Sequence, residues 1–125
     1  MNTQIYFEIQ ANEPARAIHF YRELFGWEFQ EVHGLPIPYW QIQTKVAPGG
    51  LLARPANTPP PECGTNAFVC SFEVEDFDAA AAKVVQMGGQ IALPKFAVPG
   101  RCWQGYFIDT EGNTFGAYQP DASAK

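Results

Sequence analysis

The sequence has no long apolar run. Its longest unbroken aliphatic stretch, Ala79 to Ala82, falls far short of the roughly 18 residues that a membrane-spanning helix needs, so no membrane partner is expected. A basic stripe is missing as well. The 8 Lys and Arg residues stand singly against 13 Asp and Glu, giving a net charge of −5. Such an arrangement cannot release counterions from a phosphate backbone, and nucleic acid is not an expected partner. Cysteine is scarce: Cys63, Cys70 and Cys102 are odd in number and show no C-x-x-C spacing. That argues against a zinc site or a redox pair and fits a reducing compartment. The opening Met1-Asn2-Thr3-Gln4 has neither the basic start nor the apolar core of a signal peptide, so a cytoplasmic location is expected. Gly49-Gly50 and Gly88-Gly89 lack phosphate-loop spacing and read as turn or cap glycines.

What the chain does have is aromatic side chains, 14% of its 125 residues, within an apolar share of 46%. That is enough apolar material for the core of one ordinary domain, with rings left over for the walls of a pocket. Proline gathers in residues 55–65, where Pro59-Pro60-Pro61 sits in a stretch without helical or strand period. This segment reads as a stiff linker between a first module, residues 1–54, and a second, residues 66–120.

Both modules follow one plan. In the first, Ile5, Phe7 and Ile9 alternate with Tyr6, Glu8 and Gln10, which predicts a strand with one apolar face. A helix from about Glu13 to Phe25 follows, with Asn12 as its cap, Ala17, Ile18, Tyr21, Leu24 and Phe25 as its apolar stripe and Gly26 as its stop. In the second, Phe68, Cys70, Phe72 and Val74 alternate with Val69, Ser71 and Glu73. Asp76 then caps a helix carrying Phe77, Ala80, Ala81 and Val84, which ends at Gly88-Gly89. Three short strands close each half. Laying Gly26 on Gly89 places Tyr6 on Val69, so the opening strands overlay in phase. The fold class is α+β: two paired β-α-β-β-β modules forming a partly open, eight-stranded, barrel-like sheet around a central cavity, with helices outside. In each opening strand the apolar residues pack on the helix. The others, Tyr6, Glu8 and Gln10 with Val69, Ser71 and Glu73, are expected to face the cavity.

Three pieces of sequence carry a resemblance: Phe7-Glu8-Ile9; Ala15 to Tyr21 with Leu24-Phe25-Gly26-Trp27; and Gly105 to Asn113, with Asp109, Gly112 and Asn113 marking a turn. The whole chain resembles the glyoxalase/bleomycin resistance/extradiol dioxygenase superfamily, the vicinal oxygen chelate proteins. The resemblance implies paired β-α-β-β-β modules. It also implies a divalent metal held by four side chains, one from the first and one from the last strand of each module. Those positions fall here on Tyr6, Val69 and Gly116, with the fourth close to Gly50. Valine and glycine offer no side-chain donor and a neutral tyrosine is a poor one, so no metal and no cofactor are expected. The superfamily also has metal-free members that hold a small molecule in the cavity.

The reading that follows is a metal-independent protein that binds a small organic molecule, for sequestration or sensing, with a homodimer expected. Expected ligand-binding residues are Tyr6, Glu8, Gln10, Trp40, Ser71, Glu73, Arg101, Trp103, Tyr106 and Tyr118. Tyr39-Trp40, Trp103 and Tyr106 would supply flat walls, and Lys95 to Trp103 would close over the mouth as a lid. The alternative is a lyase, isomerase or dioxygenase with an atypical metal site, or an acid/base catalyst working through Glu8 and Glu73. Arg54 and Arg101 are candidate partners for those two carboxylates.

Overall fold

The computed structural model describes residues 4–45, 47–57 and 67–125. Most of the proline-rich linker, with Cys63, lies outside the described residues. The chain is α+β and runs β-α-β-β-β twice: β1 (Ile5–Ala11), α1 (Pro14–Phe25), β2 (Glu28–Val32), β3 (Tyr39–Gln43) and β4 (Gly49–Ala53), then β5 (Val69–Glu73), α2 (Phe77–Gln86), β6 (Gln90–Val98), β7 (Cys102–Ile108) and β8 (Thr114–Pro120). Among the described residues no helix is long and apolar enough to cross a membrane. Contacts divide the chain into two compact units, Tyr6–Phe68 and Val69–Lys125, the second also holding Ile5.

In the unit of Tyr6–Phe68 the strands lie in the order β2-β3-β4-β1. β1 and β4 are parallel, whereas β2, β3 and β4 are antiparallel neighbours. The alternation of β1 sorts its side chains as its sequence predicts. Ile9 and Ala11 join Ile42 and Leu51 in a buried cluster, against which Phe7 and the helix residues Ala17, Ile18 and Tyr21 pack. Burying a large aliphatic side chain such as Ile42 or Leu51 contributes roughly 1.5–3 kcal/mol. The helix stripe is narrower than its spacing predicts, since Leu24 and Phe25 are 57% and 56% exposed. Trp27, just past the helix, packs on the cluster in their place and stacks on Tyr21 at 5.6 Å. The expected cap is also displaced by one residue. Glu13 holds the N-cap position without a side-chain cap bond, because the Asn12 side-chain oxygen accepts from Arg54 Nε at 3.0 Å.

In the unit of Val69–Lys125 the order is β5-β8-β7-β6, again with a parallel pair, β5 and β8. Phe77, Phe107 and Ala117 are buried together, with Val74, Ala81, Val84, Trp103 and Phe115 around them. Asp76 caps α2 as expected, its carboxylate accepting from Ala79 N at 3.1 Å. The left-handed residue after α2 is Gly88, with φ of 95°, and not Gly89. Gly26 therefore matches Gly88, while the strands keep the one-residue-longer offset. Lys95 to Trp103 is no lid. β6 runs on to Val98, Arg101 N closes a tight turn on Val98 O at 2.9 Å, and β7 begins at Cys102. Proline and glycine at positions 99 and 100 supply the turn chemistry.

Candidate functional sites on the two helix-free sheet faces

The face of β1 turned away from α1 carries Tyr6, Glu8 and Gln10. Glu8 lies opposite Gly50 of β4, which in turn lies opposite Gln41 of β3, with Tyr39 one pleat along. These side chains therefore share a face. Across it the Tyr39 hydroxyl donates to Glu8 Oε2 at 2.9 Å and lies 2.7 Å from the Tyr6 hydroxyl. The link passes directly over Gly50. A methyl group added there would overlap the Tyr39 hydroxyl and approach the Tyr6 oxygen to 2.8 Å. Glu8 is only 8% exposed. Burial, then the Glu8 charge and the nearby Tyr6, push ionisation of Tyr39 well above the usual phenol range, so Tyr39 is a neutral donor to a buried carboxyl group.

The second unit repeats this arrangement with different groups. Ser71 lies opposite Gly116, Gly116 opposite Tyr106, and Gln104 opposite Tyr118. Gln104 Nε2 donates to Ser71 Oγ at 3.1 Å and to Gly105 O at 3.3 Å. A methyl group at Gly116 would overlap Ser71 Oγ and lie 2.8 Å from Gln104 Nε2. By register, Glu8, Gly50 and Tyr39 correspond to Ser71, Gly116 and Gln104. Beside the second crossbar Tyr106 stacks on Phe96 with ring centres 6.4 Å apart. Tyr118 is held protonated to higher pH than an ordinary tyrosine, by burial first and then by Glu73 and Cys102.

Seven of the ten residues expected to bind a ligand stand on these two faces: Tyr6, Glu8 and Gln10 in one unit, and Ser71, Glu73, Tyr106 and Tyr118 in the other. The remaining three are corrections. Trp40 follows Tyr39 in β3, and adjacent strand residues point to opposite faces, so it packs on the helix-covered core. Trp103 likewise goes to the α2 side, where its Nε1 donates to Asp121 Oδ2 at 3.0 Å and Lys95 Nζ sits 4.8 Å over its ring. Arg101 is exposed in the β6–β7 turn. Arg54 donates from its terminal nitrogen to Gln10 O at 3.0 Å. Two further residues complete these faces: Gln104, which shares the strand parity of Tyr106, and Tyr39, which shares that of Gln41 and not of Trp40. None of the expected residues lines the two described surface grooves, of about 410 Å³ between α2 and Asp109 and about 330 Å³ around Thr44.

The side chains at the positions that would carry a metal do not suit one. Tyr6 is bound to Tyr39, and at Gly50 and Gly116 the space of a ligating side chain is filled by Tyr39 in one unit and Ser71 in the other. Among the described residues no three His, Cys, Asp or Glu side chains come together.

The family described as the Glyoxalase/Bleomycin resistance protein/Dioxygenase superfamily matches residues 3–116. A glyoxylase-like domain-containing protein of Didymella fabae is 32% identical over 118 residues, covering 86% of this chain and 85% of its own. The putative glyoxylase CFP32 of Mycobacterium bovis is 29% identical over 94% of this chain, which spans 45% of that longer relative. Among solved structures, hypothetical protein BH1468 from Bacillus halodurans C-125 superposes with a TM-score of 0.71 at 12% identity, covering 100% of this chain and 99% of that one. Methylmalonyl-CoA epimerase from Mycobacterium tuberculosis gives 0.68 at 14% identity, over 93% and 86% of the two chains. These two likenesses show the fold.

Proposed function

The chain belongs to the glyoxalase/bleomycin resistance protein/dioxygenase superfamily, and on that footing we propose that it binds a small organic molecule on its helix-free sheet faces without a catalytic metal. One observation carries the reading. At two of the four places where the superfamily puts ligating side chains this chain has glycines, Gly50 and Gly116, and hydrogen-bonded pairs of its own, Tyr39 with Glu8 and Gln104 with Ser71, run through the vacated space. What the faces offer a ligand is therefore hydrogen bonding and flat aromatic surface, from Tyr6, Tyr39 and Gln41 in one unit and from Tyr106, Phe96 and Tyr118 in the other. Such a face suits sequestration or sensing of a ring-bearing molecule in the cytoplasm.

Elemental analysis and native mass spectrometry of the purified protein test this together. The expected result is far less than one divalent ion per chain, with small aromatic compounds raising the melting temperature in a screen. A tightly held ion at one per chain overturns the proposal.

An enzymatic reading draws on the Tyr39–Glu8 pair, because a buried carboxyl group beside a neutral phenol is a possible proton acceptor. It requires a substrate whose turnover falls at least about 100-fold in Glu8→Gln while the melting temperature holds. Unchanged turnover removes it.

A further inference from the structure

The chain has 8 Lys and Arg and 2 His, and none of them stands on the strands of the helix-free face in the unit of Tyr6–Phe68. Arg16, His19 and Arg22 lie on α1 and Lys83 on α2. Lys95 is held on the α2 side of its own unit by Asp78 and the Trp103 ring. His33, Arg101 and Lys125 lie outside the strands, and Lys45 and Arg54 fall in the segments before and after β4. The Arg54 guanidinium is taken up by the Asn12 side chain and Gln10 O. The polar side chains that the register does place on this face are Tyr6, Glu8 and Gln10 of β1, Tyr39, Gln41 and Gln43 of β3, and Glu28 and Gln30 of β2. They are phenols, amides and carboxyl groups. Glu8 is the buried one among them, with Tyr6, Gln10, Tyr39 and Gln41 half-buried around it.

We infer that this face selects organic cations, small molecules that carry a protonated amine beside a ring, and that Glu8, Tyr6 and Tyr39 set the preference. The inference rests on the reading that the helix-free faces bind a small organic molecule, and it adds the sign of that molecule's charge. A carboxylate taken out of water is stabilised by a cation brought close to it. Glu8 Oε2 lies 2.9 Å from the Tyr39 oxygen, which lies 2.7 Å from that of Tyr6. A cation set against these two rings therefore meets their negative π faces and the field of the carboxylate together. An anionic ligand meets the reverse, a charge of its own sign in Glu8 and no cationic side chain on the strands to receive it. The net charge of −5 acts in the same direction over longer range.

Three indole probes of similar size separate the charges at neutral pH: tryptamine as the cation, tryptophol as the neutral alcohol and indoleacetate as the anion. Each is titrated into the full chain and followed by calorimetry and by amide NMR shifts. Tryptamine is expected to bind at least about tenfold more tightly than tryptophol, with indoleacetate weakest and the tryptamine shifts centred on β1 and β3 around Glu8 and Tyr39. Glu8→Gln should bring tryptamine to within about threefold of tryptophol while the affinity for tryptophol holds. Glu23→Gln, which removes the same charge from an exposed position on α1, should keep the full preference. Tryptophol or indoleacetate binding as tightly as tryptamine overturns the inference and leaves the small-molecule reading standing. Tryptamine shifts confined to another surface, or a preference that survives in a folded Glu8→Gln, overturn it too. So does a wild type that does not bind tryptamine, the small-molecule reading then being judged by its own melting screen. The order of the probes in the wild type decides even where Glu8→Gln fails to fold.

Discussion

Two glycines decide where the polar groups of each helix-free face can go. At Gly50 and Gly116 a single added methyl group collides with the hydroxyl of Tyr39 or Ser71, so Gly50→Ala and Gly116→Ala are each expected to lose about 1–3 kcal/mol by overpacking, measured by urea unfolding. Tyr39→Phe removes a donor from a buried carboxyl group and should cost about 1–3 kcal/mol. Combined with Glu8→Gln the loss should be smaller than the sum of the singles, since the two groups satisfy each other. Tyr39 also sets a pH dependence. Its folded value is raised above the unfolded value of about 10, so its contribution is complete below about pH 10 and is lost as pH climbs from there toward the folded value. Tyrosinate absorbance during alkaline titration should show one phenol that ionises only on unfolding, and Tyr39→Phe should abolish that late step.

At the level of elements, the two helices begin differently although they occupy equivalent places. Asp76 makes a true cap bond and Glu13 makes none. Asp76→Ala is therefore expected to cost about 1 kcal/mol, and Glu13→Ala less than about 0.5 kcal/mol, in the same unfolding assay. The β7–β8 turn depends on Asp109, whose carboxylate accepts from the backbone of Asn113 at 2.9 Å and of Glu111 at 2.8 Å. Those bonds, from Asn113 first, hold its ionisation below the usual carboxylate value. The stabilisation is present above the unfolded value of about 3.9 and is lost as pH falls through the lower folded value. Thermal melts across the acid range should show Asp109→Ala with a lower melting temperature at neutral pH and a shallower acid slope. β6, at the end of its four-strand row, is kept from edge pairing by Pro94, Lys95 and register shifts at Ile91/Leu93 and Leu93/Phe96.

For the chain as a whole, the donor chemistry predicts indifference to metal. Millimolar Zn²⁺, Mn²⁺ or Mg²⁺ should shift the melting temperature by less than about 1 °C, whereas a ligand at about 100 times its dissociation constant would add about 2.7 kcal/mol. The doubled β-α-β-β-β plan, the helix-covered cores and the parity of Tyr6, Glu8, Ser71 and Glu73 were all legible in the linear text. Strand alternation and helical spacing are local, and each repeats within a few residues. The Tyr39–Glu8 and Gln104–Ser71 crossbars were not legible. They join residues 31 and 33 positions apart, and their existence depends on the register of β3 on β4 and of β7 on β8. A slip of one residue in either would have turned Trp40 or Trp103 outward instead. Which indole is core and which tyrosine is polar thus follows from long-range pairing that no short window encodes. The lack of ligating side chains follows from residue chemistry, which needs no coordinates.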